Sequence, residues 1–188
     1  MKKLFVACLF VFCITVSEAR EVAGVTLPDQ IVRDTDKAEL ILNGAGVRKK
    51  FFFSVYLASL YLQHPSRQVE AVIDVEKPAR VQMQILYSKI DKKKFTKGWD
   101  DGFSANLSTE QLQAVRQRLD QFNGMFESLV KGDTIELDYI PGDGTHVTIK
   151  GEDKGVVSGG DFYQALLMVW LGESPISQNL KQELLGLK

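Results

Sequence analysis

The sequence predicts an α+β domain, a mainly antiparallel sheet with helices packed on one face. Three observations carry that expectation. Strand-like segments come early and late while helical periodicity fills the middle and the end, so the two element types are segregated rather than alternating. The run Phe51 to Leu62 is apolar on both of its period-2 faces and rich in aromatic residues, which describes a strand covered on both sides. The chain is 188 residues long and 45% hydrophobic, with no repeat, low-complexity tract or linker to divide it. That is one domain with a sizeable core.

Residues 1–19 read as a leader. Lys2 and Lys3 form a positive start, Leu4 to Val16 an apolar stretch, and Ser17-Glu18-Ala19 supplies small residues for cleavage after Ala19. The apolar stretch is shorter than the roughly 20 residues a membrane span requires. The expectation is a periplasmic or secreted protein comprising residues 20–188, with no transmembrane segment after cleavage. Both cysteines, Cys8 and Cys13, fall within the leader, which leaves the domain no disulfide, thiol nucleophile or Cys-ligated metal. The formal charge of −1 gives no ground for a nucleic-acid partner or an anionic membrane.

Val22 to Val32 predicts a short hairpin turning around Thr26-Leu27-Pro28-Asp29. Ala38 to Leu42 continues as strand into Gly44-Ala45-Gly46, read as a turn because glycine adopts backbone angles that other residues resist. Arg48 follows that turn at the start of the central apolar strand. His64-Pro65 breaks the chain, Val69 to Val75 is ambiguous between helix and strand, and Pro78 ends it. Val81, Met83, Ile85 and Tyr87 alternate with Arg80, Gln82 and Gln84, a strand with one wet face.

Asp91 to Ala105 is expected to be helical, capped by Asp91, with Phe95, Trp99 and Phe103 forming one aromatic stripe. Gly98 and Gly102 run beside it and suggest close approach to a strand or a ligand, although core packing explains them as well. Ser108 to Gln111 is a capping box opening a second helix with Leu112, Val115, Leu119 and Phe122 inward. Thr134 to Tyr139 and Thr145 to Lys150 flank a Pro141-Gly142-Asp143-Gly144 turn, and Val156-Val157 adds a third meander strand. Gly159-Gly160 releases a helix bearing Phe162, Leu166, Val169 and Trp170. Gly172 stops it, and Pro175 opens a last helix buried by Leu180, Leu184 and Leu185.

Two stretches carry a resemblance. Gly44-Ala45-Gly46-Val47-Arg48 followed by Phe53 to Leu62, and the C-terminal run Asp161 to Gly186, resemble the chalcone isomerase-like family, the second stretch its bacterial, exported branch. The resemblance spans roughly residues 22–187. It implies the open-faced β-sandwich of that family. It also implies a site: an arginine after the Gly-x-Gly, matched by Arg48, which in the plant enzymes stabilises developing negative charge. In fatty-acid-binding members the arginine and a helix tyrosine hold a carboxylate. The tyrosine position falls at or near Phe95, the asparagine position near Gly102, and the strand threonine around Phe51, none of which carries the expected hydroxyl or amide.

The residues offer no catalytic constellation of their own. His64 and His146 stand in separate turns without cysteine partners, so no metal site is expected and no cofactor is implied. Asp100 and Asp101 point about a quarter-turn apart on a helix, and no nucleophile motif appears. Three readings remain. The first is an exported, non-catalytic binder of a small amphipathic carboxylate such as a fatty acid. Arg48 would grip it, among Phe51, Phe53, Phe95, Trp99 and Gly102, with Tyr87 as a possible second donor. The second is an intramolecular lyase acting on chalcone-like substrates. The third is an interaction domain whose Arg48 is salt-bridged, with Tyr56, Tyr61, Trp99 and Trp170 serving as core.

Overall fold

The computed structural model describes residues 19–188, so residues 1–18 of the expected leader lie outside the described residues. A hairpin of β1 (Ala19–Val22) and β2 (Val25–Pro28) comes first. It reverses at Ala23-Gly24, both in the left-handed region, with φ of 54° and 77°. The expected turn at Thr26–Asp29 is therefore displaced: Pro28 closes β2, an end position that suits a residue without an N–H.

Seven strands form one sheet in the order β11-β10-β9-β6-β5-β4-β3, every pair antiparallel. They are β3 (Gln30–Val32), β4 (Glu39–Lys50), β5 (Phe53–Leu62), β6 (Ala79–Ile85), β9 (Thr134–Ile140), β10 (Gly144–Ile149) and β11 (Glu152–Ser158). The short β7 (Lys89–Ile90) and β8 (Leu129–Val130) pair separately. The sheet curls into a half-barrel. Arg33, just beyond the edge strand β3, donates across its end to the backbone oxygens of Ala79 and Tyr139, each at 2.9 Å.

The helices are α1 (Val69–Val72), α2 (Lys92–Asn106), α3 (Thr109–Gly124), α4 (Gly160–Leu171) and α5 (Gln178–Leu184). The main core lies between them and one sheet face. Ala58, Leu60, Val81, Met83, Leu137 and Val147 meet Trp99, Phe103, Leu119, Phe122, Phe162, Leu166 and Trp170. Full burial of each such side chain is worth roughly 1.5–3 kcal/mol. A second, smaller core occupies the opposite face, where Leu27 of the N-terminal hairpin covers Leu40, Leu42, Leu57 and Tyr61. That is why β5 reads as apolar on both faces.

Two features of the sequence reading are corrected here. Gly44 and Gly46 do not form a turn; they lie inside β4. Their role is close approach: a Cβ at Gly44 would collide with the backbone of Glu183 and Leu184, and one at Gly46 with the Glu183 side chain. Helix α5 thus rests directly on the strand. The reversal comes at Phe51-Phe52, because Lys50 pairs with Phe53. The last helix also begins later than Pro175, at the Ser177 cap, whose hydroxyl accepts from the Leu180 N–H at 3.3 Å.

The remaining signals hold in part. Ser108 and Gln111 form the reciprocal capping box of α3. Asp91 occupies the cap position of α2, although its side chain makes no capping bond. Gly102 packs α2 against Val169 of α4, so the close approach is helix to helix, while a Cβ at Gly98 would meet nothing within 4 Å. His146 lies in β10 rather than in a turn, bonded to Asp143 at 2.6 Å.

Candidate functional site

Moving the turn to Phe51-Phe52 decides what faces Arg48. Across the β4–β5 ladder Arg48 is paired with Tyr56, and antiparallel partners share a face. That face is the helix side, since Tyr56 belongs to the main core. The guanidinium carbon stands 5.8 Å from the Tyr56 ring centroid, within cation–π range. The Tyr56 hydroxyl accepts a buried hydrogen bond from Trp170 Nε1 at 3.0 Å, so its own proton remains available to another acceptor. Burial pushes this phenol up to about 12, against which the Arg48 charge pulls in the opposite direction. Tyr56 is therefore a neutral donor at ordinary pH, not a base.

Beside this pair opens a pocket of about 660 Å³ between the β4–β5 end of the sheet and α2. Its volume falls in the range that accepts a small organic ligand. Arg48, Phe51, Phe53, Phe95, Trp99 and Gly102, the residues singled out from sequence, all line it. Its buried wall is apolar, with Tyr56, Met83, Ile90, Phe95, Trp99 and Val169. Phe95 and Trp99 meet edge to face at 5.6 Å, and Trp99 stands likewise on Trp170 at 5.3 Å. Its outer rim is Lys50, Phe51, Phe53, Tyr87, Lys89, Lys94 and Lys97. Tyr87 packs edge to face on Phe53 at 5.6 Å and is one-third exposed.

Two buried donors on the pocket have no partner: Arg48 Nε and Trp99 Nε1. Among the described residues no carboxylate forms an ion pair with Arg48; the charged pair on the pocket rim is Lys97–Asp101. The contrast with Arg33 is informative. Arg33, 1% exposed, is fully engaged by Asp36, Asp138 and two carbonyls, as a structural arginine should be. Arg80 makes a two-pronged contact with Asp138 at 2.7 and 2.6 Å. Arg48 is the arginine of the helix-side face left with donor capacity toward a cavity.

Sequence reasoning assigned Tyr56 to the core alone. It is core, but it also lines the pocket opposite Arg48, a placement that follows from counting back across the Phe51-Phe52 reversal. Asp101 stands on the pocket rim, paired there with Lys97 at 2.6 Å, whereas Asp100 lies outside the lining and is held by Arg116 at 3.1 Å.

A family model described as chalcone isomerase-like matches residues 19–186. No curated protein matches. Among solved structures the chain is similar to the crystal structure of a fatty-acid binding protein from Arabidopsis thaliana. The TM-score is 0.71 at 18% identity, covering 89% of this chain and 96% of that one. At that identity the likeness shows the shared fold. The curled antiparallel sheet, the helices on one of its faces and a family match over nearly every described residue lead to one conclusion: the chain belongs to the chalcone isomerase-like family.

Proposed function

We propose that this protein binds a small amphipathic carboxylate of fatty-acid type without transforming it. The observation that carries the reading is the apolar pocket ending on Arg48, a cation with a buried, unpartnered Nε, next to the neutral Tyr56 hydroxyl. A carboxylate arriving there satisfies both donors at once, while the alkyl part lies against Phe95, Trp99, Met83 and Val169. The fold likeness to a plant fatty-acid binding protein agrees with this chemistry. An exported protein, periplasmic or secreted, is the reading that the sequence of residues 1–19 supports, and the run Asp161 to Gly186 supports the family's bacterial branch; cell fractionation tests the export.

Native mass spectrometry with lipid extraction tests the binding. Wild-type protein is expected to carry an organic acid that is absent from Arg48→Ala. A wild type that takes up no acid, even when offered fatty acids of several lengths, overturns the reading.

A further inference from the structure

The pocket rim combines two features that neither the fold nor a buried ligand requires. The first is the β4–β5 turn. It is a two-residue reversal made of Phe51 and Phe52, which are 84% and 98% exposed, with Phe53 beside them at 58%. Phe51 sits at φ 55°, in the left-handed region that bulky side chains rarely occupy and where glycine is the usual choice. The chain thus carries a large aromatic residue, Phe51, where local preference is against it, with the Phe52 ring beside it, and both are exposed to solvent. A broken local rule of this kind is a starting point for a functional reading, and here the exposure of the rings stands beside it.

The second feature is charge. Lys50, Lys89, Lys94 and Lys97 stand in the same rim, with Lys49 and Lys93 exposed next to them in the chain. Nearby acids are few: Asp91 is a distant partner of Lys89 at 3.9 Å, and Asp101 neutralises Lys97. No ion pair among the described residues involves Lys49, Lys50, Lys93 or Lys94. The whole chain is nevertheless at −1, so this is a segregated patch and not a reflection of composition.

Exposed aromatic side chains flanked by unpaired lysines match the interface of an anionic bilayer. Rings enter the boundary between headgroups and acyl chains, and ammonium groups meet lipid phosphates. We propose that the Phe51-Phe52 turn and the lysines around it form a docking surface for an anionic phospholipid membrane, setting the pocket mouth against the bilayer. A negatively charged, partly apolar surface is complementary to this rim in both respects. The inference concerns the rim and does not depend on which molecule the pocket holds.

The test uses vesicle flotation with phosphatidylglycerol–phosphatidylcholine mixtures and with phosphatidylcholine alone. Both the full chain and the chain starting at Ala19 are measured, so that the apolar N-terminal stretch is not mistaken for the docking surface. Phe52 and Lys93 lie outside the pocket lining, so Phe52→Ser and Lys49→Glu/Lys93→Glu separate docking from ligand binding. The expected result is binding to the anionic vesicles only, weakened as salt rises above about 0.15 M. Phe52→Ser and the charge-reversal pair should each lower it at least about tenfold, with fatty-acid affinity unchanged. Absence of vesicle binding, binding indifferent to lipid charge, or undiminished binding by Phe52→Ser overturns the proposal. So does a dimer of the wild type that Phe52→Ser dissolves without any vesicle binding, which would give the surface to a second copy. Loss of fatty-acid binding in Arg48→Ala with vesicle binding retained separates the two readings.

Discussion

Replacing Arg48 by methionine separates a ligand anchor from a structural arginine. The substitution keeps an apolar stem against the Tyr56 ring and removes the donors. A hydrogen bond from a charged group to a carboxylate is worth about 1.5–3 kcal/mol, so affinity for a fatty acid should fall roughly ten- to hundredfold. Stability should hardly change. Arg48 Nε is already without a partner, and no carboxylate among the described residues is stranded by its loss. What disappears is the contact with Tyr56 at 5.8 Å, worth about 0.5–1 kcal/mol. The assay is displacement of a fluorescent fatty acid by lauric acid and by its methyl ester, beside urea denaturation of both proteins. Wild type should prefer the acid to the ester, and Arg48→Met should no longer distinguish them. The reasoning fails if Arg48→Met binds the acid as wild type does. It also fails if the variant loses about 3 kcal/mol or more of stability, the mark of a broken buried ion pair.

Further expectations follow from the same geometry. Tyr56→Phe strands Trp170 Nε1 in the core, which should cost about 1–3 kcal/mol in denaturation and weaken carboxylate binding severalfold. Gly102→Ala drives a methyl into Val169, whose Cγ1 lies 2.8 Å from the position, and should cost about 1–3 kcal/mol. Gly98→Ala meets nothing within 4 Å and should stabilise α2 by up to about 1 kcal/mol in the same measurement. Stability should also fall in alkali. Tyr56 titrates at 10.0 when unfolded and at about 12 when folded, so its contribution is complete below pH 10 and lost as pH rises through about 12. The two-unit difference bounds that contribution at about 3 kcal/mol, and Tyr56→Phe should flatten this part of a urea-midpoint profile against pH.

Most of the architecture was legible because the sequence states it through periodicity and caps. The aromatic stripe of α2, the Ser108 box, the meander of β9 to β11 and the two-sided burial of β5 each rest on local pattern. What local pattern misled was the glycine pair. Gly44 and Gly46 suggest a turn until α5, some 140 residues later, is seen lying on them. Only a long-range contact distinguishes glycine used for angle from glycine used for closeness. A reversal at the glycines would make Phe51 and Phe52 strand residues and leave Arg48 without a defined cross-strand neighbour. The reversal at Phe51-Phe52 could not be inferred from preference, because preference opposes it. The basic rim was hidden for a different reason, since a net charge of −1 averages over a surface on which lysines and carboxylates are sorted.

The same arrangement bears on whether the pocket holds or transforms its ligand. Trp170 donates to the Tyr56 oxygen and thereby fixes which way the phenol can give its proton. Burial keeps that proton on the hydroxyl well above neutral pH, and the Arg48 guanidinium carries N–H donors and no acceptor. With the Tyr56 oxygen already accepting from Trp170, both groups offer the pocket donors, which suits the charged ligand proposed above. A ring closure begins by taking a proton from a substrate hydroxyl or by receiving it into ordered water, and that role needs an acceptor on the wall. Of the α2 carboxylates, Asp101 stands on the rim engaged by Lys97 and Asp100 is held by Arg116 outside the lining. The Arg48–Tyr56 donor pair is the clamp that the proposed carboxylate would meet, and the apolar wall behind it would set how much hydrocarbon is retained.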